Sequence, residues 1–103
     1  MITQRRVFQA KPGSAGAVVA TMKAFQPILE KASGVGSRIY TDLYSGHTDQ
    51  VVWEFDVESL GKLESFNQKI LHSDEIRKAF EDWFEGLKPL IEGATVELWN
   101  REI

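Results

Sequence analysis

Ser37 to Val57, SRIYTDLYSGHTDQVVWEFDV, is the stretch on which the fold turns. Ser37 to Tyr44 alternates, placing Ile39, Thr41 and Leu43 on one face and Arg38, Tyr40, Asp42 and Tyr44 on the other. Gln50 to Val57 alternates again, with Val51, Trp53, Phe55 and Val57 opposed to Val52, Glu54 and Asp56. Two such runs joined by the turn-rich Ser45-Gly46-His47-Thr48-Asp49 read as an antiparallel hairpin.

Working outward, each flank of the hairpin has a helical pattern and then a strand. Upstream, Val18, Met22, Phe25, Ile28, Leu29 and Ala32 recur at three- and four-residue steps, the period of a buried helical stripe. Ser14 is the expected N-cap and Ser33-Gly34-Val35-Gly36 the expected stop, while Pro27 predicts a kink or a division. Before it, Ile2 to Ala10 is strand-like and ends at Lys11-Pro12-Gly13. Downstream, Leu60, Leu63, Phe66, Ile70 and Leu71 mark a helix starting near Ser59 or Asp56. His72-Ser73-Asp74 breaks it, and a further helix runs through Ile76, Phe80, Trp83, Phe84 and Leu87 to Pro89. Gly93 opens a last strand in which Ala94, Val96, Leu98 and Asn100 alternate with Thr95, Glu97, Trp99 and Arg101.

The order βαββαβ is the ferredoxin-like arrangement, an α+β fold with a four-stranded antiparallel sheet and its helices on one face. It predicts one domain over residues 1–103. Val51, Trp53, Phe55, Tyr40, Tyr44, Leu98 and Trp99 exceed what one sheet face would hold, so the second face is expected to be apolar as well. A homodimer closing over that face, around a pocket, is the expected consequence.

Composition narrows the function classes. A net charge of −3 lacks the basic stripe of a nucleic-acid surface. The absence of cysteine removes disulfides, thiolate metal sites and a cysteine nucleophile. No apolar run nears the ~20 residues of a membrane span, and no signal-peptide pattern opens the chain. The expectation is a cytoplasmic protein without nucleic-acid or membrane partners.

The first strand carries a resemblance. Gln4-Arg5-Arg6-Val7-Phe8-Gln9-Ala10-Lys11-Pro12-Gly13 resembles the opening strand and Lys-Pro-Gly turn of NIPSNAP-like proteins, within the dimeric α/β barrel superfamily. Arg6 and Lys11-Pro12-Gly13 match, while Gln4 stands for the family's acid and Phe8 for its tyrosine. Val51-Val52-Trp53-Glu54-Phe55 is similar to the aromatic third strand common there. The superfamily includes cofactor-independent antibiotic-biosynthesis-type monooxygenases, isomerases, haem-binding members and small proteins of unknown activity. The resemblance thus implies a homodimer that binds a small hydrophobic or aromatic molecule and acts, if it is an enzyme, as a monooxygenase or isomerase needing no cofactor. A non-catalytic ligand-binding or interaction protein and a haem binder are the alternatives.

Candidate residues follow from the chemistry such a pocket needs. His72 is the candidate base, since histidine titrates near neutral pH; the competing reading is a helix C-terminal cation favoured by the macrodipole. His47 reads as turn chemistry. Arg6 shares a strand face with Ile2, Phe8 and Ala10, and an arginine among apolar residues must find an acceptor or reach solvent. It is either a pocket cation for a carboxylate, phenolate or enolate, or an ion-pair partner of Glu54, Asp42 or Glu97. Tyr40 and Trp83, with Phe8 beside Arg6, are the candidate substrate contacts. No histidine, acid or cysteine spacing makes a metal motif.

Overall fold

The computed structural model describes residues 1–103. Strand β1 (Ile2–Ala10) leads into helix α1 (Ala15–Ser33), the hairpin β2 (Ser37–Thr41) and β3 (Gln50–Val57), helices α2 (Leu60–His72) and α3 (Asp74–Leu87), a 3₁₀ turn at Lys88–Leu90, and β4 (Ile91–Asn100). The sheet is antiparallel throughout, in the order β2-β3-β1-β4. This is the ferredoxin-like α+β fold, with the second helical region divided at Ser73.

Local details follow the side chains. Gly34 ends α1 at φ 75°, a left-handed conformation that a Cβ would resist, and its N–H donates to the Glu30 carbonyl. The Ser59 hydroxyl caps α2 by accepting from the Lys62 N–H at 3.2 Å. Ser14 differs from expectation: its side chain makes no capping bond, and its backbone carbonyl instead accepts from Val18 at 3.0 Å. Helix α1 also runs undivided through Pro27, because proline's fixed φ is helical and only one amide donor is lost. Strand β2 stops at Thr41, three residues early, leaving Leu43 and Tyr44 83% and 95% exposed in the connecting loop.

Register decides which residues share a face. Arg6 lies opposite Trp53 on β3 and Val96 on β4. Its face therefore holds Gln4, Phe8 and Ala10 of β1 together with Val51, Trp53, Phe55 and Val57 of β3, and all of these but Arg6 are buried. Helix α1 packs Val18, Met22 and Phe25 against them, and Leu87 of α3 joins the same cluster. Leu63 and Phe66 of α2 cover Phe55 and Val57. Fully burying one such side chain contributes roughly 1.5–3 kcal/mol, so this layer dominates the stability of the fold.

The expectation of a second apolar face is overturned. Val51, Trp53 and Phe55, the three apolar β3 residues that were counted, all face the helices, and Leu98 lies on that side too, exposed at the sheet edge. Tyr44 is not in the sheet. The helix-free face carries Thr3, Arg5, Arg38, Glu54, Asp56 and Arg101, with only Tyr40 and Trp99 as large rings. The error lay in counting apolar residues without assigning each strand's parity to a side.

Candidate functional site

A cavity of about 160 Å³ lies between the helices and the sheet. Thirteen of its sixteen lining residues are hydrophobic, and eight are aromatic, including Phe8, Phe25, Trp53, Phe80, Trp83 and Phe84. Their positions follow from two periods meeting: every second residue of β1 and β3, and every third or fourth residue of α1 and α3, points into the same layer. Trp83 is the hub. It stacks on Phe25 with centroids 5.3 Å apart, and meets Trp53 edge-on at 5.7 Å and Phe8 at 6.3 Å. Such offset and edge-to-face pairs fix ring positions as well as filling space.

The three remaining lining residues are Gln4, Arg6 and Asn67. Gln4 is 7% exposed, and its carboxamide hydrogen-bonds to no protein group, as the side-chain hydrogen bonds all lie elsewhere. The buried indole N–H of Trp83 also lacks an acceptor, whereas that of Trp53 donates to Ser37 Oγ at 2.9 Å. An unpaired buried donor such as the Trp83 indole N–H costs about 1–3 kcal/mol, so its occurrence beside the cavity calls for an explanation.

Arg6 stands at the mouth. On one side its β-ladder partner is buried Trp53; on the other it is Val96, 51% exposed where the helix layer ends. Its outer surface is open to solvent, yet crowding by the apolar walls pushes the guanidinium pKa below the usual arginine value. Both hold for a side chain open on one flank and desolvated on the other, and it remains cationic near neutral pH. Arg5, Arg38, Arg77 and Arg101 each pair with a carboxylate; Arg6 has none.

The helix-free face is built differently. Glu54 Oε2 accepts from Arg5 Nε and Glu54 Oε1 from Arg38 Nε, both at 2.9 Å, with the Tyr40 hydroxyl at 3.3 Å. Asp56 accepts from Thr3 Oγ1 at 2.6 Å and, at 3.0 Å, from Arg38 Nη1 and Arg101 Nη1. Burial alone would raise the Glu54 carboxyl, but the hydrogen bonds from Arg5 and Arg38 outweigh it and hold the pKa below the glutamate value. The Arg38 and Thr3 hydrogen bonds likewise depress Asp56, and these two carboxylates raise Arg38. Each charge of this cluster has an oppositely charged partner.

The candidates from the sequence therefore separate. Arg6, Phe8 and Trp83 come together on the cavity. Tyr40 does not: it lies across the sheet, bonded to Glu54, because its β2 parity is that of Arg38. His72 does not either. It is exposed at the end of α2, with Nε2 2.8 Å from Gln68 Oε1, one helical turn back on the same surface. Arg6 pairs with none of Glu54, Asp42 and Glu97; Arg5 takes the Glu54 role. Gln4 and Asn67 were missed. Gln4 was legible as a polar residue sharing alternate positions with Arg6 and Phe8, whereas Asn67 depended on how α2 tilts over the cavity. Haem does not fit: the cavity is far smaller than a macrocycle, and no His, Cys, Met or Tyr lines it.

No family model and no curated protein matches the chain. Solved structures do match in fold. A NIPSNAP domain protein from Burkholderia xenovorans superposes with a TM-score of 0.80 at 11% identity, over 98% of this chain and 94% of that one. A NIPSNAP family protein of unknown function from Agrobacterium tumefaciens gives 0.80 at 14% identity, covering 98% and 87%. A candidate antibiotic biosynthesis monooxygenase from Nitrosomonas europaea gives 0.73 at 8% identity and covers both chains completely. The chain thus shares the ferredoxin-like α+β fold of NIPSNAP structures and of a monooxygenase-type protein, as the Arg6 and Lys11-Pro12-Gly13 strand led us to expect.

Proposed function

We propose that this protein binds a small, largely apolar molecule in the aromatic cavity beneath its helices. The observation that carries the reading is Gln4, a residue only 7% exposed that makes no side-chain hydrogen bond to protein, in a wall otherwise almost wholly apolar. A pocket of convergent rings with a few placed polar groups is the usual form of a small-molecule site. The finer reading from the resemblance, a cofactor-independent monooxygenase or isomerase with His72 as base, has less support. His72 is outside the cavity, and the lining contains no His, Asp, Glu, Lys, Cys or Tyr to take a proton. Binding is the reading that this lining favours.

The test uses toluene and indole as neutral single-ring and fused-ring probes, followed by tryptophan fluorescence and ligand-detected NMR. Trp53 and Trp83 line the cavity while Trp99 lies across the sheet, so a Trp99→Phe variant assigns the signal. Ala94 lines the cavity from the exposed edge strand, so Ala94→Leu should fill the mouth and weaken binding about tenfold with little effect on folding. Failure of toluene and indole to bind saturably, together with failure of their charged and amide single-ring analogues, would overturn the reading.

The homodimer belongs to this proposal on a changed basis. A second copy would meet the helix-free face through its paired charges, Tyr40 and Trp99, and not through an apolar surplus. A monomer by sedimentation equilibrium at micromolar concentration would remove it.

A further inference from the structure

We propose that the ligand of the cavity is the anion of a single-ring aromatic carboxylic acid, its ring held among the aromatic walls and its carboxylate against Arg6. This rests on the cavity being a binding site at all, and adds the charge, group and size of what it takes.

Charge comes first. Of the sixteen lining residues, Arg6 alone is ionised, so the cavity walls carry one uncompensated positive charge at the mouth. The chain supplies acceptors generously elsewhere: each of its four other arginines has a carboxylate within 4 Å. Arg5, next in sequence, has Glu54 at 2.9 Å, yet nothing answers Arg6 on the other face. A cation beside low-dielectric walls attracts an anion more strongly than one in open water. A dianion would leave a charge unmatched among rings, so the lining selects a monoanion.

The group follows from the donors. A guanidinium presents paired N–H groups that match the two oxygens of a carboxylate. Gln4, two residues along the same strand face, adds a carboxamide N–H₂ without another partner. A simple phenol, with a pKa near 10, is neutral at the working pH, whereas a carboxylic acid is ionised there.

Size sets the ring count. An apolar cavity of about 150 Å³ accommodates one benzene ring, and this one measures about 160 Å³.

Benzoate, benzamide and benzamidine share one planar outline and differ in charge, so they are the probes, with 2-naphthoate as the size control. Dissociation constants come from calorimetry on the full chain. The expectation is benzoate at least about tenfold tighter than benzamide, benzamidine weaker than both, and 2-naphthoate weaker than benzoate. Arg6→Met keeps the stem and removes the guanidinium, and should abolish the preference for benzoate over benzamide. Arg6→Gln provides a second, polar replacement if the methionine variant folds poorly. Benzamide binding as well as benzoate, or a benzoate preference surviving in both Arg6 variants, overturns the charge assignment while the cavity reading stands. Naphthoate binding more tightly overturns the size. If toluene, indole and all four probes fail to bind, the cavity reading falls and this inference with it.

Discussion

Arg5 and Arg6 are neighbours of the same type on the same strand, and the fold gives them opposite circumstances. Arg5 points to the helix-free face, where Glu54, Arg38, Asp56 and Arg101 form a closed lattice of ion pairs. Arg6 points toward the helices, into a wall of rings that offers no acceptor. One face satisfies its charges internally and the other leaves a charge and a carboxamide free. A satisfied lattice contributes to stability and has nothing left to offer a ligand. Unsatisfied groups in a cavity are a standing cost to the fold that a ligand can remove.

The largest expected effect that sharpens this contrast is on the helix side. Trp53 is 5% exposed and packs on Phe25 and Trp83, so Trp53→Ala should lower folding stability by about 3–5 kcal/mol in denaturant titration. A loss near 1 kcal/mol would mean that the ring borders an open chamber more than it fills a core.

On the opposite face, Glu54→Gln keeps the shape but leaves Arg5 and Arg38 without their shared carboxylate. The arginines are about two-fifths exposed at the side chain, so water compensates in part and the expected loss is roughly 1–3 kcal/mol. The same variant has a pH signature. Glu54 and Asp56 both have carboxyl pKa values depressed by folding. Such groups contribute fully above the unfolded carboxylate values of about 4 and lose that contribution as pH falls through the folded values. Wild-type stability should therefore decline from about pH 5 downward, and the decline should be shallower in Glu54→Gln. Equal acid slopes would show that the lattice is not what acid dismantles.

The two smaller effects set the arginines against each other. Arg5→Met removes one partner of a half-exposed pair and should destabilise by about 1 kcal/mol. Arg6→Met removes a partly desolvated cation with no partner, so stability should change by less than about 0.5 kcal/mol or rise. Equal losses at the two positions would erase the distinction between the faces.

Much of this was legible in the residues. The alternation of Val51, Trp53, Phe55 and Val57 and the helical stripe through Val18, Met22 and Phe25 give element type directly, because periods of 2 and 3.6 report the geometry of strand and helix. The break between α2 and α3 was legible too, from His72-Ser73-Asp74, although the Ser73 side chain makes no capping bond. The candidate site was legible only where it lay on one strand: Arg6 and Phe8 share parity, so their meeting needs no tertiary knowledge. Trp83 was recognisable as a ring beyond the apolar stripe of α3, without its destination.

The sequence by itself therefore determined the order and kind of the elements, and which β1 residues travel together, since these depend on neighbours along the chain. Tertiary structure alone decided that Tyr40 and Arg6 lie on opposite sides of the sheet, and that Glu54 answers Arg5 and not Arg6. Those outcomes depend on pairing register and on which side of the sheet the helices cover. Both are fixed by contacts between residues some 50 positions apart, such as Arg5 with Glu54 and Arg6 with Trp53, and a one-residue shift in register would reverse every one of them.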